Sequence, residues 1–253
     1  MFTIEYEQFL VEMVVFLAVR SDERLECELH QATDRLYEIT DEELRQREFV
    51  PVFRDFFTKL RLDRLIAGLL AERPLIGKLV DACVVREAAR SKAQSAELFI
   101  QDDVGSEERG SKTLVIQACP QSFIDSERFV PLMRRELLHV ADMLDERFGY
   151  QRETFCGELA RQNLQRDRYR VFWDIYVEGR LARERLSTKS EEERCKQAFC
   201  RVFDSGGENK NDDAFRRVFD AESLTHRQLM DWARECIVPH PRSRSSALAD
   251  NAT

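Results

Sequence analysis

Apolar residues recur at helical spacing along most of the chain. Those at positions 9, 10, 13, 14, 16 and 17 predict an amphipathic helix over residues 4–19, and a second is expected over 22–37. Thr40 and Glu43 have capping-box spacing, and Pro51 suits the first turn of a helix reaching residue 60. More helix is expected over 62–72 and, after Pro74, to about residue 93. The N-terminal third therefore reads as all-helical. Nine glycines and six prolines in 253 residues leave few points where such segments would break.

The period then changes. Residues 96–101 and 113–119 are short, apolar and partly β-branched, separated by a polar, glycine-containing stretch over 102–112, which predicts an antiparallel hairpin. Pro120 ends the second strand, and Asp125 or Ser126 can cap a helix over 125–148 that closes at Gly149. Further helices are expected over 155–186, 191–203, 212–219 and 223–236, with a flexible-looking loop at 205–211. The polar, small residues of 239–253 predict a disordered tail. No internal repeat is evident. The organisation expected is an N-terminal helical region (1–95), a core of hairpin and two helices (96–186), C-terminal helices (187–238) and the tail, together one compact domain.

A hydrophobic fraction of 43% supports a substantial core. The net charge of -8 and a pI near 5.3 disfavour nucleic acid and anionic membrane as partners, since both need concentrated positive charge. Seven scattered cysteines without C-x-x-C spacing fit a reducing compartment, and no export signal is recognised, because Glu12 interrupts the apolar run 9–19 and acidic residues precede it. A cytoplasmic, soluble protein is expected.

The centre of the 125–148 helix reads Arg134-Arg135-Glu136-Leu137-Leu138-His139-Val140-Ala141-Asp142-Met143. Four of its five motif positions match H-E-x-x-H, in which two histidines one helical turn apart hold zinc and the glutamate serves as general base. The stretch resembles the active-site helix of zincin metallopeptidases, with the first histidine replaced by Arg135. The resemblance covers roughly residues 96–185 and implies a mainly α, α+β fold: a helical domain with a small antiparallel sheet or hairpin beside the motif helix. It implies Glu136 as the catalytic base and His139 as a metal ligand. In the gluzincin subgroup a glutamate on a later helix is the third ligand, a role that Glu178 matches, with Asp174 as rival. The resemblance also implies an edge strand able to pair with an extended peptide.

An arginine has no lone pair for a metal, so zinc, the implied cofactor, is expected to bind weakly or not at all. Arg135 then reads as a stand-in for the metal, a guanidinium fork against the Glu136 and Glu178 carboxylates. Asp142, three residues after His139, and Tyr176, in the aromatic stretch around Glu178, complete the candidate set. His226 is the best placed of the other histidines to supply a missing ligand.

Structural readings compete with each of these roles. His139 among leucines reads equally as a core or boundary histidine, and Glu136 as a solvated helix residue. Tyr169, Phe172, Trp173 and Tyr176 read as packing residues ahead of a ligand cage. The arginines at 161, 166, 168, 170, 180, 183 and 185 are interleaved with acids and read as a solvated, salt-bridged face. Cys119 and Cys156 read as buried small residues ahead of cleft thiols. The leading expectation is a metallopeptidase-like protein with a degenerate zinc site that binds peptide or protein. An active peptidase with unusual ligands and a purely helical scaffold are the alternatives. Oligomeric state is open.

Overall fold

The structure is a computed structural model that describes residues 2–101, 110–152, 155, 158–203 and 208–235. Within them the chain divides into two compact units, Met1–Asp145 and Glu146–Thr253.

The first unit opens with a strand, β1 (Thr3–Tyr6), where helical spacing predicted helix. The alternation Thr-Ile-Glu-Tyr decides these four residues, and α1 (Gln8–Val19) starts only after them. Leu10, Val14 and Val15 of α1 are wholly buried, each burial stabilising the fold by about 1.5–3 kcal/mol. α2 (Glu23–Thr33) is capped by Asp22, whose side chain accepts from the Arg24 and Leu25 amides, and a short 3-10 turn continues to Glu38. α3 (Glu42–Lys59) is capped by Asp41, one residue beyond the expected Thr40. Pro51 lies inside α3 instead of starting a helix. Its ring removes the hydrogen bond that the Arg47 carbonyl would accept, a loss that the burial of Phe53, Phe56 and Phe57 outweighs.

α4 (Arg64–Ala71) and α5 (Pro74–Leu79) follow, and the helix expected to reach residue 93 stops at Leu79. β2 (Ala82–Glu87) takes its place, because Cys83 and Val85 alternate inward and are wholly buried. The N-terminal third is thus not all-helical: it supplies two strands. β3 (Ser95–Gln101) and β4 (Ser111–Ala118) form the expected antiparallel pair, with Ser95 opposite Gln117. Most of the expected long turn, residues 102–109, lies outside the described residues.

The sheet order is β1-β2-β4-β3. β1, β2 and β4 run parallel, with Thr3 opposite Ala82 and Ala82 opposite Thr113, so the small antiparallel sheet expected is a mixed, four-stranded one. α6 (Phe129–Leu144) packs against β3, α4 and α5. It is shorter at both ends than expected. No side chain caps its start; Asp125 accepts instead from the Glu127 amide. Asp145 turns extended at its end, and Gly149, at φ +67°, serves a later turn.

In the second unit α7 (Leu159–Arg183) is the central element, packed by α8 (Lys189–Val202), α9 (Glu208–Phe219) and α10 (His226–Glu235). Phe172 joins α7 to Phe203 with ring centroids 4.6 Å apart, and Phe199 meets Phe215 at 6.2 Å. Residues 208–211, expected in a loop, belong to α9. The expected tail, 239–253, lies outside the described residues, as do Cys156, Cys236 and His240. The protein is mainly helical with one small mixed sheet, an α+β fold that a purely helical scaffold does not describe. Among the described residues no helix is long and apolar enough to cross a membrane.

Candidate functional site

The α6 stripe of Phe129, Met133, Leu137, Val140 and Leu144 faces the core and fixes the helix's rotation. Arg134, Arg135, Glu136 and His139 then fall at the boundary of the buried face, while Asp142 is 3% exposed. Arg134 lays its guanidinium on Glu72 at the end of α4. Nε is 2.9 Å from Oε2 and Nη2 2.7 Å from Oε1, a bidentate fork. Arg135 pairs with Glu136, Nη2 to Oε1 at 3.5 Å, with side chains 17% and 27% exposed. The Arg135 guanidinium is thus paired with the carboxylate of its neighbour in the chain.

That geometry bears on zinc. To a metal, α6 offers one imidazole, His139, and carboxylates of which one, Glu136, is ion-paired; its first motif position holds a group with no lone pair. This donor set does not fit a tetrahedral zinc ion. Among the described residues no three His, Cys, Asp or Glu side chains form a group able to hold a metal.

The other candidates stand in the second unit, on α7. Glu178 is 2% exposed, and its carboxylate accepts a hydrogen bond from the Ser187 hydroxyl. Asp174 is half-buried. Tyr176 is buried; its hydroxyl accepts from the Leu224 amide at 3.1 Å, and Arg180 lies 4.3 Å from its ring centroid. These contacts give Tyr176 a packing and capping role. Gly179 lets α7 and α9 meet: a Cβ there would sit 1.8 Å from the Phe219 carbonyl oxygen. Arg183 donates to that same carbonyl and to that of Ala221, both at 2.8 Å.

His226 begins α10 and is 3% exposed. Its Nδ1 is 2.8 Å from the Tyr169 hydroxyl, and its backbone N–H donates to the Phe148 carbonyl, also at 2.8 Å. His30 is exposed on α2. Cys119 is buried, its thiol 3.4 Å from the Ala88 carbonyl. Sequence reasoning missed Glu72 and Ser187 as partners of the motif region and of Glu178, because Glu72 closes a different helix, Ser187 lies in the loop after α7, and no local spacing points to either. It also missed that Tyr169 and Trp173 border a cavity; their aromatic spacing alone does not separate core from pocket.

Compared with protein-family models, with curated proteins and with solved structures, the chain matches none.

Proposed function

We propose that the protein is a zincin-like, gluzincin-type relative of zinc peptidases with a degenerate metal site, acting as a peptide- or protein-binding or regulatory protein. The observation that carries this reading is the packing of α6, with Arg135, Glu136 and His139 on it, against β3 at the edge of the sheet. β3 ends in Phe99 and Ile100, 52% and 54% exposed, an unusual pair to leave to water. A peptide added there would gain main-chain hydrogen bonds along the strand and apolar contacts at alternate positions. Arg135 serves as the fixed counter-charge of Glu136, the place zinc takes in an active zincin. A cytoplasmic location belongs to the same reading, supported by five free thiols among the described residues.

Two measurements test it. Elemental analysis of tag-free protein after matched zinc exposure is expected to find far less than one zinc per wild-type chain and tight zinc in Arg135→His. Near one zinc per wild-type chain, lost in His139→Ala, would overturn the degenerate site and point to peptide hydrolysis, with Glu136→Gln as control. Calorimetry with a panel of extended peptides is expected to show saturable binding that the double variant Phe99→Lys/Ile100→Lys weakens at least tenfold; no binding up to millimolar peptide would sink strand addition at β3.

A further inference from the structure

Outside the motif region, the second unit contains a cavity of about 280 Å³ built against α7. Its walls are aromatic: Tyr150, Phe155, Tyr169 and Trp173. Tyr150 stacks on Trp173 with centroids 5.7 Å apart and a 27° tilt, and Tyr169 stands 5.6 Å from Trp173. His226 adds a buried polar point, held by the Tyr169 hydroxyl at Nδ1. The cavity opens to solvent, and its volume is just below the ~300–1,000 Å³ typical of small-molecule sites, which suits one planar ring system.

The second observation is charge. Arg166 and Arg170 also line the cavity, are exposed, and lie four residues apart on one face of α7. Other arginines of this helix are engaged: Arg180 over Tyr176, Arg183 on two carbonyls. Among the described residues Arg166 and Arg170 take part in no ion pair, so the salt-bridged face expected from sequence does not include them. Two guanidinium groups at the rim of an aromatic chamber are suited to an anion attached to a ring. They can fork a carboxylate or phosphate while the ring lies against the aromatic wall.

We propose that this cavity is a binding site for a planar aromatic ring bearing a carboxylate or a phosphate, the ring lying against the wall of Tyr150, Phe155 and Tyr169 and the anion held by Arg166 and Arg170. The site lies wholly within the second unit and is independent of the peptide-binding reading.

Isothermal titration calorimetry on the full chain tests the proposal with two anionic rings, indole-3-acetate and adenosine monophosphate, and their neutral counterparts, indole and adenosine. Acetate and inorganic phosphate are the ring-free controls. At least one anionic ring is expected to bind with submillimolar affinity, at least tenfold tighter than its neutral counterpart and than the free anion. Which of the two binds identifies the combination of ring and anion that the site takes. Arg166→Ala and Arg170→Ala are exposed changes expected to leave the melting temperature in place; each should weaken the anionic ring about fivefold or more without changing the neutral one. Absence of binding at millimolar ligand, equal affinity for charged and neutral rings, or arginine variants that bind as wild type would each overturn it.

Discussion

Arg61 and Arg185 carry positive φ, 59° and 61°, in the position after a helix where glycine is the usual residue. Both sit in the same hydrogen-bond pattern. The Arg61 and Leu62 amides donate to the Thr58 and Phe57 carbonyls, and those of Arg185 and Leu186 to Ala182 and Leu181. A Cβ in this conformation costs about 1 kcal/mol, part of which glycine gives back through the unfolded chain. Arg61→Gly and Arg185→Gly are therefore each expected to raise stability by about 0.5 kcal/mol, measured by chemical denaturation. Gly179 is the opposite case. An alanine there meets the Phe219 backbone, and Gly179→Ala is expected to lose about 3 kcal/mol or fail to fold. Burial pushes the Cys83 thiol up to about 12, so it should resist alkylation at pH 8 while exposed Cys27 and Cys200 react. Because the unfolded thiol ionises first, near 9, this contribution to stability is whole below that pH and fades as pH rises toward 12. Mass spectrometry after brief alkylation reads the first effect and a pH series of denaturation curves the second.

At the scale of elements, the Arg134 fork on Glu72 fastens α6 to the end of α4. With side chains 23% and 28% exposed, the pair lies between a surface and a buried ion pair. Arg134→Ala is expected to cost about 1–3 kcal/mol in denaturation experiments, and Arg134→Lys to recover only part, since an ammonium cannot fork. The hairpin and the helices with long apolar stripes were legible in the sequence, because period and length agreed there. β1 and β2 were not: Thr3–Tyr6 runs into the apolar stretch of α1, and Ala82–Glu87 follows a short helix with no glycine or proline between them. Their short alternations become strands through their mutual pairing and that of β2 with β4, and such pairing has no local signature. For the site, the motif on α6 was legible from spacing alone. What engages Arg134, Glu178 and His226 was not, since Glu72, Ser187 and Tyr169 are distant in sequence or on other elements.

Across the whole molecule, charge is unevenly shared. Residues 1–50 hold thirteen carboxylates against five arginines, which accounts for the entire net charge of -8, and the rest of the chain balances. Like charges repel over about 30 Å at 0.01 M salt and about 10 Å at 0.1 M. The melting temperature is therefore expected to rise when salt is raised from ~10 to ~100 mM, and calorimetry at a series of ionic strengths would show it. The pairing of Thr3 with Ala82 carries a different consequence, one of timing. On the ribosome β1 emerges well before β2, the strand it pairs with. At ~5–20 residues per second it waits roughly 4–16 s for β2, and longer for β4 to complete the parallel set. During that interval an unsatisfied strand is exposed to every other nascent chain, and Glu5 and Glu7 within and beside it are the charges that discourage premature pairing.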